Sequence, residues 1–258
     1  MAGFYFYKLV EIFRRHLYHC VIMEKPKILC VIPARGGSKG VPRKNIRMIN
    51  GKPLLSYALS AALESGVIER VVVSTEDKEI AEIARNFGAE VIDRPLALAS
   101  DSATNESVMN HALEVVEKEG YHPDFIALIQ CTSPLLVKET IREAVSKVLD
   151  NDKFDTCITV YYPETYEFEW TKGEDGRILP KHDPSNRPMR QDMELPYQEN
   201  GAFYITKAEL FKKTQNRFGG KDARVAAVLM SEEDSIQIDN ENQLWLAGEI
   251  LNKRGTNQ

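Results

Sequence analysis

Hydrophobic and polar residues alternate along most of this chain in blocks that predict strands followed by helices. Short continuous apolar runs are typical of strands buried on both faces of a parallel sheet. Such runs lie at 27–33, 69–74, 90–92, 125–130 and 156–161. Helical spacing of apolar residues lies between them at 53–64, 78–87, 107–119 and 140–149. Strands separated by helices of about ten to fifteen residues predict right-handed βαβ units and a mostly parallel sheet.

The alternation fails between residues 163 and 196, where charged residues, prolines and turn signals accumulate. We predict a hairpin excursion and a long loop over 162–198, and long loops usually serve a site or an interface. Regular structure resumes at 201–206 and 224–230 and ends with a helix at 241–252. The predicted fold is therefore α/β, a three-layer, mostly parallel twisted sheet with a small hairpin excursion.

The first 23 residues are aromatic and apolar, but four charged residues interrupt them. No uninterrupted apolar stretch in this segment approaches the roughly 20 residues that a membrane span needs, and its charges are misplaced for a signal peptide. We interpret residues 1–23 as an extension, loosely ordered or amphipathic, and residues 24–258 as the domain. A helix lying on a membrane surface is the alternative.

Composition narrows the class of protein. The chain has 258 residues, 43% hydrophobic and 28% charged, with a net charge of −5. An acidic balance argues against a general nucleic-acid binder, which carries a basic excess. The four cysteines are widely spaced, and Cys30 and Cys157 lie in strand-like runs. Buried free thiols and a reducing cytoplasm fit this pattern.

Ligands in an open parallel sheet bind at the carboxyl ends of the strands, and the strongest chemical signal follows the first strand. Residues 33–45, PARGGSKGVPRKN, combine glycines with four cations. The glycines let backbone amides approach phosphate oxygens, and Arg35, Lys39 and Lys44 could neutralise a triphosphate. The spacing is neither a Walker A loop nor a GxGxxG fingerprint. An ordinary basic surface loop is the alternative.

The run ARGGSKGVPRKN, followed by Gly51-Lys52-Pro53-Leu54, resembles the nucleotide-binding signature of acylneuraminate cytidylyltransferases, the CMP-sialic acid synthetases. Further blocks occur in the order of that family and cover roughly residues 27–252. They are Val73-Ser74-Thr75, Arg94-Pro95, Leu98-Ala99-Ser100-Asp101, Leu128-Ile129-Gln130, Thr132-Ser133-Pro134-Leu135, Arg190-Gln191-Asp192, Asn200 to Ile205 and Ser235 to Asp239.

The resemblance implies a Rossmann-like nucleotidyltransferase and assigns the CTP site. It places Arg94 near the cytosine base, where a guanidinium can donate to a carbonyl oxygen. A surface arginine fixed by Asp93 or Asp101 is the alternative for Arg94. The positions that match phosphate and ribose contacts are Ala34, Arg35, Ser38, Lys39, Lys44 and Asn45.

The resemblance also implies a sugar site. The matching positions are Gln130, Arg190, Asn200 and Tyr204. A nonulosonic acid carries a carboxylate and an amide-bearing side arm, so its recognition takes a cation together with neutral donors and acceptors. Arg187 is close enough in sequence to replace Arg190. Tyr204 could equally fill the core, and Gln130 could be bonded only to backbone.

The metal site departs from the family pattern. Where the family has an SIDID-like run, this chain has Ser-Ile-Gln-Ile-Asp, so Gln237 replaces the first carboxylate and Asp239 remains. Magnesium keeps waters and uses substrate phosphates as ligands, so one carboxylate with CTP could suffice. Asp234 or Glu241 could compensate, and Asp239 could instead be a helix N-cap.

The expected reaction transfers CMP from CTP to an N-acylneuraminate, with Mg²⁺ as cofactor and pyrophosphate as leaving group. Arg35 and Lys39 are the predicted catalytic residues because they would stabilise charge on the phosphates. The alternatives are another acid sugar (KDN, legionaminic acid, pseudaminic acid or KDO), a nucleotide-sugar-dependent glycosyltransferase, or a catalytically silent nucleotide-binding homologue. The resemblance and the aromatic-rich segment 161–170 predict a homodimer with a hairpin arm.

Overall fold

The computed structural model describes residues 25–150, 153–163, 169–187, 189 and 196–255. The sequence-based interpretation of residues 1–23 falls outside this part of the chain. The strands, in chain order, are β1 (Ile28–Pro33), β2 (Met48–Ile49), β3 (Lys52–Pro53), β4 (Arg70–Thr75), β5 (Glu90–Asp93), β6 (Phe125–Ile129), β7 (Thr156–Tyr161), β8 (Trp170–Lys172), β9 (Ile178–Pro180), β10 (Gln198–Lys207) and β11 (Val225–Met230).

Within the described residues one seven-stranded sheet forms the centre of the molecule. Its order is β11-β7-β10-β6-β1-β4-β5. Strands β1, β4, β5 and β6 pair in parallel, as do β7 and β11. Strand β10 runs antiparallel to both β6 and β7, which brings its amino end to the edge where the parallel strands have their carboxyl ends. The mostly parallel sheet is confirmed.

Helices cover both faces of this sheet. They are α1 (Leu54–Ser65), α2 (Lys78–Asn86), α3 (Asn105–Lys118), α4 (Lys138–Leu149), α5 (Ala208–Thr214) and α6 (Glu241–Gly255). Side chains of β1 alternate between two cores: Cys30 and Ile32 pack with α1, α2 and α4, whereas Leu29 and Val31 pack with α3 and α5. This period of two on a strand with buried faces produces the predicted three layers.

Helix α6 stands apart from these layers. It packs on the β2–β3 hairpin and the start of α1 through a third apolar cluster that includes Ile49, Leu54, Leu244 and Ala247. The cluster holds the end of the chain beside the loop that follows β1. Every helix among the described residues is too short or too polar to span a bilayer.

The structure differs from the sequence prediction at element ends. Helix α3 begins two residues earlier than expected because Thr104 caps it, its hydroxyl accepting from the Ser107 amide at 3.1 Å. Helix α5 was missed because it is only seven residues long and follows β10 directly. The expected hairpin is present as β8 and β9, which pair in antiparallel register.

The strand order fixes where a ligand belongs. From β1 the chain proceeds through β4 and β5 on one side, and then returns to place β6 on the other side of β1. A crevice therefore opens between the loops that follow β1 and β6, the point at which doubly wound sheets bind their ligands.

Candidate active site at the carboxyl edge of the sheet

A cavity of about 410 Å³ lies at this switch point. It contains most of the residues that the sequence predicted for the nucleotide, together with one predicted sugar contact and one predicted metal ligand. These are Arg35, Ser38, Lys39, Lys44, Asn45, Arg94, Gln130 and Asp239. Residues separated by more than 190 positions in the chain thus share one wall.

The loop after β1 is anchored from beneath by neighbouring elements. The Ala34 amide donates to the Ser74 carbonyl at 3.0 Å, and Ala34 is fully buried. The next anchor is Glu76, whose carboxylate accepts from the Gly36 amide at 2.7 Å. The Asn45 side chain donates to the Arg35 carbonyl at 2.9 Å. These bonds fix the backbone from which Arg35 and Lys39 project.

The same loop packs tightly on the segment that precedes α6. A Cβ atom on Gly40 would lie 2.0 Å from the Asp239 carbonyl oxygen, so this contact requires glycine. The Ile238 amide donates to the Thr132 carbonyl at 2.8 Å, and the Lys44 ammonium donates to the Ile238 carbonyl at 2.6 Å. The segment therefore joins the loops that follow β1 and β6.

Each cation predicted to hold phosphates faces a carboxylate. Asp101 pairs with Arg35 at 2.8 Å and with Lys39 at 2.7 Å. Lys44 pairs with Asp239 at 3.1 Å. Lys39 and Arg35 hold the pKa of the Asp101 carboxyl below its ordinary value. Three positive charges converge on the cavity, and two exposed carboxylates offset them only in part.

Arg43, the fourth cation of the loop, turns away from the cavity. Its backbone is left-handed, with φ 56°, and its guanidinium pairs with Asp77 and Glu79 at the start of α2. The hydrogen bond from the Arg43 guanidinium lowers the pKa of Asp77. Arg43 was not among the three cations predicted to hold the phosphates, and its position agrees with that choice.

Arg94 forms the floor of the cavity and is only 6% exposed. Its Nε donates to the Ser74 hydroxyl at 3.2 Å, and its Nη2 donates to the Ser74 carbonyl. Burial lowers the pKa of the guanidinium, which nevertheless stays charged because arginine is so basic. Its partner is thus Ser74, whereas Asp101, which the sequence left open, pairs with Arg35 and Lys39.

A group of neutral amides lies at and behind the part of the cavity wall that Gln130 forms. Gln130 reaches the cavity from the end of β6. The Gln237 Nε2 atom donates to the Asn200 carbonyl at 2.6 Å and lies 3.5 Å from the Gln130 Oε1 atom. The Asn200 side chain is 3% exposed and bonds to Thr159 and Ser235. Asn200 and Gln237 therefore stand behind Gln130 rather than among the cavity-lining residues.

Tyr204, another predicted sugar contact, lies away from the cavity. Tyr204 is 2% exposed and packs in the core beneath α3 and α5, with its hydroxyl donating to Glu199. The ring also faces Arg217 at 4.8 Å and Phe218. Burial raises the pKa of the phenol. Arg190 falls outside the described residues, so its role stays a prediction.

Asp239 is the acidic residue of the predicted metal pair, and it faces the cavity. Asn240, rather than Asp239, caps α6, because its side chain accepts from the Gln243 amide at 3.0 Å. The two residues suggested as substitutes are engaged elsewhere, Asp234 with Arg254 and Glu241 with Arg47. The described residues contain no cluster of three or more histidine, cysteine, aspartate or glutamate side chains that could hold a metal ion.

Two site residues were missed by sequence reasoning. Asp101 was considered only as a possible partner of Arg94, whereas its ion pairs with Arg35 and Lys39 place it at the cavity mouth. Glu76 directly follows the last residue of β4. The rule that chemistry collects after strand ends would have found Glu76.

A family model described as Cytidylyltransferase matches residues 29–216. This chain belongs to the cytidylyltransferase family. Membership of a cytidylyltransferase family, which the loop after β1 and the ordered sequence blocks predicted, is therefore confirmed. The loop after β1, Arg94 and Gln130 lie inside the matched range, whereas Gln237 and Asp239 lie beyond it.

Two curated relatives illustrate the range of this cytidylyltransferase family. The pseudaminic acid cytidylyltransferase of Campylobacter jejuni is 36% identical over 69% of this chain and 78% of that protein. The N-acylneuraminate cytidylyltransferase of Escherichia coli is 32% identical over 89% of this chain and 53% of that protein. The chain thus spans about half the length of the latter.

Solved structures agree on the fold. The CMP:2-keto-3-deoxy-manno-octonic acid synthetase in complex with CTP has a TM-score of 0.65 at 16% identity, covering 88% of this chain and 99% of that one. The 4-diphosphocytidyl-2C-methyl-D-erythritol synthase of Anaerococcus prevotii has a TM-score of 0.62 at 13% identity, covering 89% of this chain and all of that one. The nucleotidyltransferase α/β fold is therefore confirmed.

Proposed function

We propose that this cytidylyltransferase joins the CMP part of CTP to an acidic nine-carbon sugar of the N-acylneuraminate type and releases pyrophosphate. One observation carries the proposal. Arg35, Lys39 and Lys44 converge on a cavity whose floor is the buried Arg94. Three cations suit a triphosphate, and a buried guanidinium suits a pyrimidine carbonyl oxygen.

The proposed reaction is an in-line displacement at phosphorus. The hydroxyl oxygen on the anomeric carbon of the sugar bonds to the α-phosphorus of CTP, the bond to the β-phosphate oxygen breaks, and the hydroxyl proton passes to solvent. Phosphoryl-type transfers depend mainly on positioning and charge neutralisation. Arg35 and Lys39 would leave Asp101 and stabilise the charge on the departing pyrophosphate.

The acid sugar is the finer part of the proposal. Gln130 offers an amide at the cavity wall, and the cation for the sugar carboxylate would come from Arg190 or Arg187. Pseudaminic acid is the second candidate substrate, since the relative named for that substrate is 36% identical to this chain. The E. coli relative, named for N-acylneuraminate, is 32% identical over a longer stretch.

Magnesium is the proposed cofactor, and Asp239 is the residue that would hold it. Asp239 is an exposed carboxylate at the cavity, and Mg²⁺ usually combines one or two carboxylates with substrate phosphates and water. Gln237 fits less well, because its amide donates to the Asn200 carbonyl. When bound, the ion would neutralise phosphate charge; Lys44, released from Asp239, would stay beside the phosphates.

We further propose a homodimer that works in the cytoplasm. The β8–β9 hairpin exposes Trp170, Ile178 and Leu179, and Tyr162 stacks on Tyr197 with ring centroids 4.5 Å apart. Exposed aromatic and aliphatic groups of this kind suit an interface. The buried free thiols of Cys30, Cys131 and Cys157 are compatible with a reducing compartment. Light scattering that returns a monomer would remove the dimer.

The decisive experiment measures pyrophosphate release from CTP with separate acid sugars, with and without Mg²⁺. The panel is N-acetylneuraminate, pseudaminic acid, legionaminic acid, KDN and KDO, with ATP, GTP and UTP as nucleotide controls. Metal-dependent release with CTP and N-acetylneuraminate is expected. Release only with another acid sugar would reassign the substrate, and no release with any member would leave a silent nucleotide-binding homologue.

A further inference from the structure

Gln237 stands where the resemblance places a metal-binding aspartate, yet its surroundings call for a hydrogen-bond donor. Its Nε2 atom lies 2.6 Å from the Asn200 carbonyl oxygen and 3.5 Å from the Gln130 Oε1 atom. Both neighbours are acceptors. A carboxylate at position 237 would instead face two oxygen atoms, with no proton to offer them at neutral pH.

The space for this amide is provided by Gly201. A Cβ atom there would lie 1.8 Å from the Gln237 Nε2 atom and 3.2 Å from the Gln130 Oε1 atom. Gly201 also has φ +70°, which other residues rarely adopt. Only a residue without a side chain therefore fits at the point where Gln130 and Gln237 meet.

Asn200 makes the backbone beneath Gln237 rigid. Its Oδ1 atom accepts from the Thr159 hydroxyl at 2.6 Å and from the Ala202 amide at 3.2 Å, and its Nδ2 atom donates to the Ser235 hydroxyl at 2.9 Å. These bonds tie β7, β10 and the segment before α6 together. The carbonyl that receives Gln237 thus has a fixed position.

The consequence concerns Gln130, which Gln237 meets at the cavity wall. The Gln130 Oε1 atom has two donors within reach, Gln237 Nε2 and the Thr132 hydroxyl, each at 3.5 Å. An amide whose oxygen faces donors presents its NH₂ group on the other side. Gln130 would then offer the cavity a donor, which suits a carboxylate or hydroxyl oxygen of the substrate.

We infer that Gln237 is a positioning residue that orients Gln130 as a donor toward the acid sugar, and not a ligand of the metal. This inference rests on the proposed function, because it assumes that the acid sugar meets Gln130. It also explains the departure from the family pattern at position 237, because glutamine supplies a hydrogen-bond donor to Gln130 and aspartate would not.

The test compares Gln237→Glu, which keeps the size of the side chain and replaces the donor with an acceptor, with Gln237→Leu, which removes both polar groups. We expect KM for the acid sugar to rise about tenfold in each variant, the scale of one lost hydrogen bond with an acceptor left unpaired. KM for CTP and the Mg²⁺ concentration at half-maximal rate should change by less than about threefold, since Gln237 contacts neither in this arrangement.

Two further measurements separate positioning from the other roles. In a double-mutant cycle, Gln237→Leu should add little to the effect of Gln130→Leu, because the first residue acts through the second. Binding of Mn²⁺ in the presence of CTP, followed by electron paramagnetic resonance, should be the same in the native chain and in Gln237→Glu.

The failures are distinguishable. A native chain without activity on any acid sugar defeats the proposed function itself. An active native chain whose sugar KM is unchanged in both variants, or whose Mn²⁺ binding strengthens in Gln237→Glu, overturns the inference. Loss of folded protein in both variants, seen by thermal melting, overturns it too, because Gln237 would then serve the stability of the fold.

Discussion

The two walls of the cavity use opposite physical means. The charged wall carries ion pairs that reach solvent: the Lys39 side chain is 83% exposed, and that of its partner Asp101 is 52% exposed. Behind Gln130 lies the neutral amide of Asn200, which is 3% exposed and hydrogen-bonded through both its side-chain oxygen and its side-chain nitrogen. Exposed ion pairs contribute little to stability, whereas unsatisfied buried polar groups cost a great deal.

The comparison shows that the charged side chains can exchange their ion-pair partners, whereas the buried amide of Asn200 cannot exchange its hydrogen-bond partners. Arg35 and Lys39 can exchange Asp101 for phosphate oxygens at small cost, since both states are ion pairs in contact with water. The amides around Asn200 would lose bonds that water cannot replace. We therefore expect substitutions in the charged wall to affect turnover and nucleotide affinity, and substitution of the buried Asn200 to affect folding.

The largest expected effect is on catalysis. Arg35→Ala or Lys39→Ala should reduce kcat by about two to three orders of magnitude, the scale of one lost preorganised charge donor. The melting temperature should stay close to that of the native chain. Arg47→Ala is the matched control, because Arg47 pairs with Glu241 outside the cavity. Full turnover in both cavity variants would contradict the phosphate role of the loop.

The next effect is on stability and belongs to the other wall. Asn200→Ala should lower the free energy of unfolding by about 3 kcal/mol, because several buried bonds lose a partner. Asn110→Ala should cost less than about 0.5 kcal/mol, since the bond from Asn110 to Glu114 on α3 is exposed to solvent. Urea titration measures both. Equal stability of the two variants would remove the contrast between the walls.

A smaller effect tests the counter-ion directly. Asp101→Asn should tighten CTP binding about threefold to fivefold, because the phosphates no longer compete with a carboxylate for Arg35 and Lys39. The gain should shrink between low and high salt as screening grows. Calorimetry measures the affinity, and Asp93→Asn serves as an exposed control. Weaker CTP binding in Asp101→Asn would show that the carboxylate assists the nucleotide instead.

The smallest expected effect is the lack of alkylation at the Cys131 thiol. Burial raises the pKa of the Cys131 thiol to about 12, so at pH 8 only about one thiol in ten thousand is ionised. Alkylation by iodoacetamide should therefore be very slow in the folded protein and fast in denaturant, although Cys131 forms part of the cavity wall. Mass spectrometry of the modified peptide measures both rates. Rapid labelling of folded protein would contradict a buried, neutral thiol.

Much of the fold follows from local pattern. The run at 156–161 matches β7 residue for residue, and the run at 27–33 contains β1. The seven-residue α5 escaped detection, because so short a helix carries too few apolar positions to establish a period. The cations of the loop after β1 were also predictable, because residue type, glycine content and a preceding buried strand are all local properties.

The partners of those residues were not predictable. Lys44 meets Asp239 across 195 positions, and Gln237 meets Gln130 across 107. The sequence by itself determined which segments are buried, which loop carries the charge and which family the blocks resemble. Only the tertiary structure decided that Asp101 balances two cations, that Tyr204 lies in the core and that Gln237 supports an amide wall. Hydrophobic periodicity depends on residues that are close in sequence, whereas the pairing of polar groups depends on which distant loops the sheet brings together.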